Sequence, residues 1–308
     1  MSGSVHMKRF IILLVSVIIF FFYHDFKLSK LTKSSTEVDF IPPFVNIVSD
    51  LFVAPDYKLA TCAIRKSMSQ LATNIMCLLH DTEFFKAKQK SMNDTWEAQR
   101  GCANEDRKFL TTPDNLRNIT NMTKIAFIRD PFDRFISFYL DKCLRRKFCW
   151  DCDSDMHCVV RRIHESMKNH SENRGMRPSF IELHAAPLSW NCNFDKHMLE
   201  YELLVMGAKK EERVTSILRL EQILKAKNVP EDLVKTIVQG SLTGETVHST
   251  HDSAERLQAE NMVRSDPVIR DYLHKIYFYD YLIFKFNRQV LDAKYQTDFW
   301  KIKPVNIL

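Results

Sequence analysis

Apolar and polar positions in the middle of this chain fall into the same order twice. Leu59 to Ile64 make a short apolar-rich run, Arg65-Lys66-Ser67-Met68-Ser69 interrupts it, and Leu71, Ile75, Met76, Leu78 and Leu79 then recur at helical spacing. Ile125, Ala126, Phe127 and Ile128 make a second run, which stops at Arg129-Asp130-Pro131. Phe132, Phe135, Ile136, Tyr139, Leu140 and Cys143 then recur three and four residues apart. A short continuous apolar run predicts a strand buried on both faces, and the three-and-four spacing predicts a helix with one apolar side. Two strand-then-helix units in succession predict an α/β domain, a central parallel sheet flanked by helices, with both junctions on the sheet's carboxyl edge.

The junctions carry the chemistry. Pro131 suits the first turn of a helix, and Asp130 and Ser69 suit the N-cap positions. Free N–H groups and the positive dipole end gather at a helix start, so cations and hydroxyls added there make an anion site. The first junction offers Arg65, Lys66, Ser67 and Ser69. The second offers Arg129, with Arg134, Ser137 and Asp141 off the apolar face of the helix that follows. Arg134 has a competing use in pairing with Asp130 or Asp133, and the whole second unit also fits a core strand and helix with solvated charges.

A nucleotide phosphate is a natural ligand for paired anion sites, but the glycines narrow its kind. Only six occur, with none between Gly3 and Gly101. A Walker A loop and a G-x-G-x-x-G turn are therefore both missing, and kinase and dehydrogenase readings recede.

Composition sets the frame. With 45% hydrophobic and 27% charged residues, 308 residues suffice for one large domain or two small ones. The net charge of +6 suits an acidic partner, yet 44 basic residues interspersed with 38 acidic ones give no block for nucleic acid.

Residues 10–23, FIILLVSVIIFFFY, are free of charge and end in bulky residues where a signal peptidase needs small ones. They read as an uncleaved signal anchor, with 1–9 a cytosolic tail, 24–56 a stem, 57–286 the catalytic domain and 287–308 a C-terminal tail. Four sequons, at Asn93, Asn118, Asn121 and Asn169, follow the span and favour a lumenal orientation. The eight cysteines agree with an oxidising compartment. Cys149, Cys152, His157 and Cys158 have the spacing of a zinc knuckle, but disulfides are the better reading there, in a pairing the sequence leaves open.

These residues resemble a known family. Arg65-Lys66-Ser67-Met68-Ser69-Gln70-Leu71 resembles the 5′-phosphosulfate loop of sulfotransferases, with Met68 where a small residue is usual and Gln70 where a second hydroxyl is. Ile128-Arg-Asp-Pro-Phe-Asp-Arg-Phe-Ile-Ser-Phe-Tyr139 resembles their 3′-phosphate motif closely. The segment His184-Ala-Ala-Pro187-Leu-Ser-Trp190-Asn-Cys192, the following Tyr201 to Gly207, and Tyr277-x-x-Asp280-Tyr281-x-x-Phe284 are similar to segments of the Golgi carbohydrate sulfotransferases of the chondroitin 4-sulfotransferase type.

The resemblance implies a P-loop-like sulfotransferase fold and the sulfuryl donor 3′-phosphoadenosine 5′-phosphosulfate, with no metal. The acceptor is a glycan hydroxyl, on an anionic polysaccharide such as chondroitin or on a glycoprotein. Arg129 and Ser137, with Arg134 as a further candidate, would hold the 3′-phosphate. Arg65, Lys66, Ser67, Met68, Ser69 and Gln70 would cradle the phosphosulfate, and Lys66 would meet the charge growing on the departing oxygen. His184 is the candidate base, with His248, His251 and Glu182 as runners-up. Met68 and Gln70 also fit a catalytically silent relative that binds glycan or nucleotide. Asp151-x-Asp153-x-Asp155 leaves a metal-dependent glycosyltransferase in play.

Overall fold

The computed structural model describes residues 39–47, 49, 51–94, 110–111, 122–173, 175–207, 210–243 and 253–296. The expected anchor at 10–23, the sequons Asn118 and Asn121, and the candidates His248 and His251 lie outside them. Among the described residues no helix is long and apolar enough to cross a membrane.

Five strands form one sheet: β1 (Leu51–Ala54), β2 (Leu59–Cys62), β3 (Leu110–Thr111), β4 (Thr123–Ile128) and β5 (Tyr201–Val205), in the order β3-β1-β2-β4-β5. The two strands expected from the motifs, β2 and β4, pair in parallel, and β5 joins β4 in parallel. The sheet as a whole is mixed, because β1 runs antiparallel to both β2 and β3. Only a turn at Pro55–Tyr57, closed by Lys58 in the left-handed region, joins β1 to β2. So short a link allows a hairpin and forbids the crossover that parallel pairing needs.

Ten helices are described: α1 (Ser69–His80), α2 (Thr82–Ala87), α3 (Pro131–Phe138), α4 (Met156–Glu172), α5 (Phe180–Ala185), α6 (Phe194–His197), α7 (Lys210–Ala226), α8 (Glu231–Thr243), α9 (Ala254–Ser265) and α10 (Pro267–Ile283). Both sheet faces are covered, which is why the strands read as continuous apolar runs and do not alternate. Ile125 and Phe127 pack with Leu71 and Ile75 of α1 and with Ile217 and Leu220 of α7. Ala126 and Ile128 face Leu188, Cys192, Phe194 and Ile283 on the other side. A third cluster joins α4 to α10 through Val159, Ile163, Leu273 and Ile276.

The packed domain extends past both expected boundaries. Ile41, Val45 and Ile47, read from the sequence as stem, are buried in the α4–α10 cluster, and β1 is a sheet strand. At the other end Leu291 and Tyr295 are buried in the same cluster, and Arg270 holds Asp292 at 2.7 Å. Ile41 to Ile47 lack regular structure and so have no period to read, while β1 and the helical turns after α10 are too short to show one.

Cysteines fix the loops to this frame. Cys62, at the end of β2, is bonded to Cys192 across 130 residues. Closing a loop of that length in the unfolded chain is worth about 5 kcal/mol on the chain-entropy account. Cys143 pairs with Cys149 and Cys152 with Cys158, so these thiols form disulfides and not a zinc knuckle.

Candidate active site

The first junction is a strained turn. Lys66 and Met68 both lie at positive φ, 65° and 60°, on either side of Ser67. Non-glycine residues seldom stay there without compensation, because Cβ crowds the backbone at a cost of about 1–2 kcal/mol each. The turn is closed by the Ser67 N–H, which donates to the Ile64 carbonyl at 3.1 Å, so the N–H groups left for an anion are those at the start of the helix that follows. Met68, and not the expected Ser69, occupies the N-cap position, and Ser69 is the first helical residue. The Met68 backbone thus supplies a turn that glycine usually makes, while its side chain packs against the core beneath α1. The N–H groups in the first turn of α1 have no intrahelical acceptor. Ser67 is fully buried, and its hydroxyl has no partner among the described residues.

The second junction lies on the neighbouring parallel strand. Asp130 caps α3 by accepting from the N–H groups of Phe132 and Asp133, as the sequence predicts. Arg129 is only 8% exposed, and its Nε has no partner among the described residues. Burial lowers its pKa, Asp133 opposes that shift, and Arg256 of α9 adds repulsion. Arg256 pairs with Asp133 and Glu260, yet its Nη1 is also buried without a partner. Ser137, two turns into α3, is half-buried. Orphaned donors on Ser67, Arg129 and Arg256 are what a bound polyanion would satisfy, so this chemistry fits a nucleotide bearing phosphate and sulfate groups.

Arg134 departs from expectation. It pairs with neither Asp130 nor Asp133; Asp133 goes to Arg256. Fully buried, Arg134 donates from Nε to the Arg65 carbonyl at 3.0 Å and from Nη1 to the Ala186 carbonyl at 2.6 Å. Its Nη2 reaches the His184 carbonyl at 3.4 Å. One guanidinium therefore ties the Lys66 turn to the His184 segment, a task for a rigid fork of donors. The C-terminal helix clamps the same segment from beneath. The Tyr277 hydroxyl donates to the Ala185 carbonyl at 2.8 Å, and Asp280 accepts from the N–H groups of Leu188 and Ser189 at 2.6 and 3.0 Å. Burial pushes the Asp280 carboxyl up to about 6 in spite of those donors.

His184 sits on α5, which Ser179 and Glu182 start with a reciprocal capping box. Its Nδ1 lies 2.7 Å from the Phe180 carbonyl. A carbonyl only accepts, so Nδ1 carries the proton and Nε2 keeps the lone pair, the tautomer a base requires. Burial takes its pKa down to about 3, and Arg65, Lys142 and Lys66 push in the same direction. Glu182 has no such freedom, because it caps Ser179 and accepts from the Ser166 hydroxyl at 2.6 Å.

Asp141 is the residue that sequence reading left without a role. It lies in a π-helical stretch, Tyr139–Arg145, which continues α3. Its carboxylate is 2.8 Å from Lys66, 3.0 Å from Lys142 and 3.3 Å from Arg146. Burial pulls Lys66 down to about 8 while Asp141 holds it up. Lys66 and Lys142 in turn keep Asp141 well below the usual carboxylate range in spite of its burial. Asp141 was legible only as one of three polar positions, with Arg134 and Ser137, on one side of a helix. Arg256 gave no signal at all, being distant in sequence from either motif. Asp155 of the acidic run caps α4 through the His157 N–H, which accounts for one of its three carboxylates.

A family model described as "Sulfotransferase family" matches residues 49–287. The chain is 34% identical over 264 residues to Carbohydrate sulfotransferase chst-1 of Caenorhabditis elegans, an alignment covering 82% of this chain and 80% of that protein. It is 28% identical over 257 residues to an uncharacterized protein of the same organism, covering 80% and 71% of the two chains. No solved structure gives a significant match.

Proposed function

The chain belongs to the sulfotransferase family, and we propose that it is a carbohydrate O-sulfotransferase using 3′-phosphoadenosine 5′-phosphosulfate as its donor. The observation that carries this reading is the meeting of buried, unpartnered donors on Ser67 and Arg129 with a buried ammonium on Lys66, at the carboxyl ends of two adjacent parallel strands. The relative named as a carbohydrate sulfotransferase supports a glycan hydroxyl as acceptor. The donor supplies an activated sulfuryl group, and the chain's own residues do the rest. Arg129 and Ser137 fix the nucleotide through its 3′-phosphate. The Ser67 and Ser69 hydroxyls and the N–H groups in the first turn of α1 would orient the phosphosulfate end. Lys66 would meet the negative charge that grows on the departing oxygen, and so would stabilise the transition state more than the ground state. His184 Nε2 takes the proton of the attacking hydroxyl. Burial is the main cause of its low pKa, and Arg65, Lys142 and Lys66 add to it; an anionic donor would offset the cations and so raise its basicity.

Met68 forms the turn with its backbone, which removes one of the two motives for a catalytically silent relative; the other is Gln70, whose Oε1 is buried without a partner among the described residues. We further propose a Golgi-membrane protein of type II topology, anchored by residues 10–23 with the catalytic domain lumenal. The sequons after the span, with Asn93 and Asn169 exposed, and the disulfides support that orientation.

The test is calorimetric titration of the purified full chain with 3′-phosphoadenosine 5′-phosphate and, separately, with nucleotide sugars plus manganese. Binding of the former alone is the expected result. Binding of nucleotide sugars in its place would overturn the reading.

A further inference from the structure

Two acids follow Arg129 within four residues, and the fold keeps both occupied. Asp130 accepts from the N–H groups of Phe132 and Asp133 and lies 3.4 Å from the Tyr281 hydroxyl. Asp133, in the first turn of α3, is held by Nη2 of Arg256, a residue of α9 that lies 123 positions further along the chain. Arg256 Nε reaches Glu260 at 2.7 Å, so one planar fork spans two carboxylates. Ser253 fixes the start of α9 by accepting from the Arg256 N–H at 3.1 Å.

Asp133 would otherwise be a partner for Arg129 itself. Burial lowers the Arg129 pKa most; Asp133 raises it, Arg256 lowers it, and Asp130 and Glu212 raise it by less than Asp133 does. Two buried guanidiniums therefore compete for one carboxylate. Arg256 has it, and Arg129 Nε is left without a partner among the described residues. A buried donor left open in this way costs free energy, which a bound anion recovers.

Resting on the sulfotransferase reading, we propose that Arg256 is a positioning residue: by holding Asp133 it keeps Arg129 open for a phosphate of the nucleotide. The role depends on which cation holds the carboxylate, not on the local net charge. Were Asp133 to swing to Arg129, the phosphate would have to displace a carboxylate already in place, and like charges would meet at the site. An Arg129 open for only about a tenth of the time binds nucleotide roughly tenfold more weakly. The side chains of Asp133 and Glu260 are 31% and 23% exposed, so removing Arg256 leaves both in contact with water and strands no buried carboxylate.

The experiment titrates the full chain in detergent with 3′-phosphoadenosine 5′-phosphate by calorimetry. Arg256→Met keeps the bulk of the side chain and removes its charge, and it is expected to weaken nucleotide binding roughly tenfold. Asp133→Asn added to it is expected to restore most of that affinity, and Asp133→Asn alone to bind at least as tightly as the unaltered chain. A purely structural Arg256 could not be rescued by removing its own partner. Should Arg256→Met fail to fold, Arg256→Lys still grips Asp133 through one ammonium and is expected to show a smaller loss, restored in the same way. Undiminished affinity in the single variant, or a double variant as weak as the single one, would overturn the positioning role and leave the donor reading standing. A chain that binds no nucleotide overturns the reading on which the role rests.

Discussion

The Lys66 ammonium and the Asp141 carboxylate meet at 2.8 Å across 75 residues of sequence, joining the turn after β2 to the π-helical stretch after α3. The pair holds a desolvated lysine in one place and in its charged form. Burial alone would favour the neutral amine; Asp141 opposes it and leaves Lys66 titrating at about 8. Because the working form is protonated, activity is lost as pH rises through that value. We expect kcat/KM for the donor, which reports free-enzyme groups, to fall above about pH 8 by roughly tenfold per unit. Asp141→Asn removes the opposing charge, so the alkaline limb should move to lower pH. A limb that stays in place would show that Lys66 is not the titrating group.

Lys66 and Arg129 should separate when truncated. In the proposed mechanism Arg129 meets charge that the donor already carries, whereas Lys66 meets charge that appears during reaction. Lys66→Ala is expected to lower turnover by on the order of a hundredfold, with nucleotide affinity changed far less. Arg129→Ala is expected to weaken nucleotide binding first. Calorimetry beside steady-state kinetics distinguishes the two, and equal losses of turnover at unchanged affinity would contradict the assignment.

How much of this was open to sequence reading follows from how local each feature is. The strands at Ile125–Ile128 and Leu59–Cys62, the cap at Asp130 and the helix from Ser69 are set by neighbours in the chain, and so they were legible. The mixed sheet was not, because the partner of β1 depends on a turn whose geometry rests on Lys58 adopting the left-handed region. Arg134 was misassigned for a related reason. Its acceptors are backbone carbonyls of Arg65, His184 and Ala186, which carry no side-chain signature, while nearby aspartates looked like partners. Asp141 was visible as a polar position on the helix but was given no role, because its partner Lys66 lies 75 residues away in the sequence.

Arg134 should behave as a positioning residue. Arg134→Lys keeps the charge but replaces a fork of donors with a single ammonium that cannot reach three carbonyls. Buried carbonyls then lose their partners, at roughly 2–4 kcal/mol in total. Urea denaturation should report that loss as a lower midpoint. Because the clamp joins the Lys66 turn to the His184 segment, turnover should fall even at temperatures where the variant is fully folded. Full activity in the folded variant would mean the two segments hold their places without it.

Topology makes its own prediction. Asn93 and Asn169 are exposed, and the proposed lumenal orientation makes both available for modification. N-glycosidase treatment should lower the apparent mass of the expressed protein while it remains in the membrane pellet after alkaline carbonate. Absence of a mass shift, or release into the medium with cleavage near residue 24, would contradict the anchored lumenal arrangement.

His184 carries the proton-transfer assignment, and its environment alters what a pH profile should show. An ordinary histidine base would give an acid limb near 6.5. Burial and the neighbouring Arg65, Lys142 and Lys66 take this one down to about 3, so in the free enzyme it is unprotonated through the whole working range. No acid limb from His184 is therefore expected in kcat/KM near neutrality. Nucleotide binding brings negative charge beside those three cations and should raise the histidine pKa, a shift visible by NMR titration of the imidazole with and without 3′-phosphoadenosine 5′-phosphate. His184→Ala should lose turnover by on the order of a hundredfold while keeping nucleotide affinity and thermal stability, since among the described residues its ring contributes the bond to the Phe180 carbonyl and the contact with the Phe180 ring. If the variant retains most of its turnover, the proton leaves by another route, and His248 and His251 become the residues to replace, Glu182 being committed to the helix cap and to Ser166.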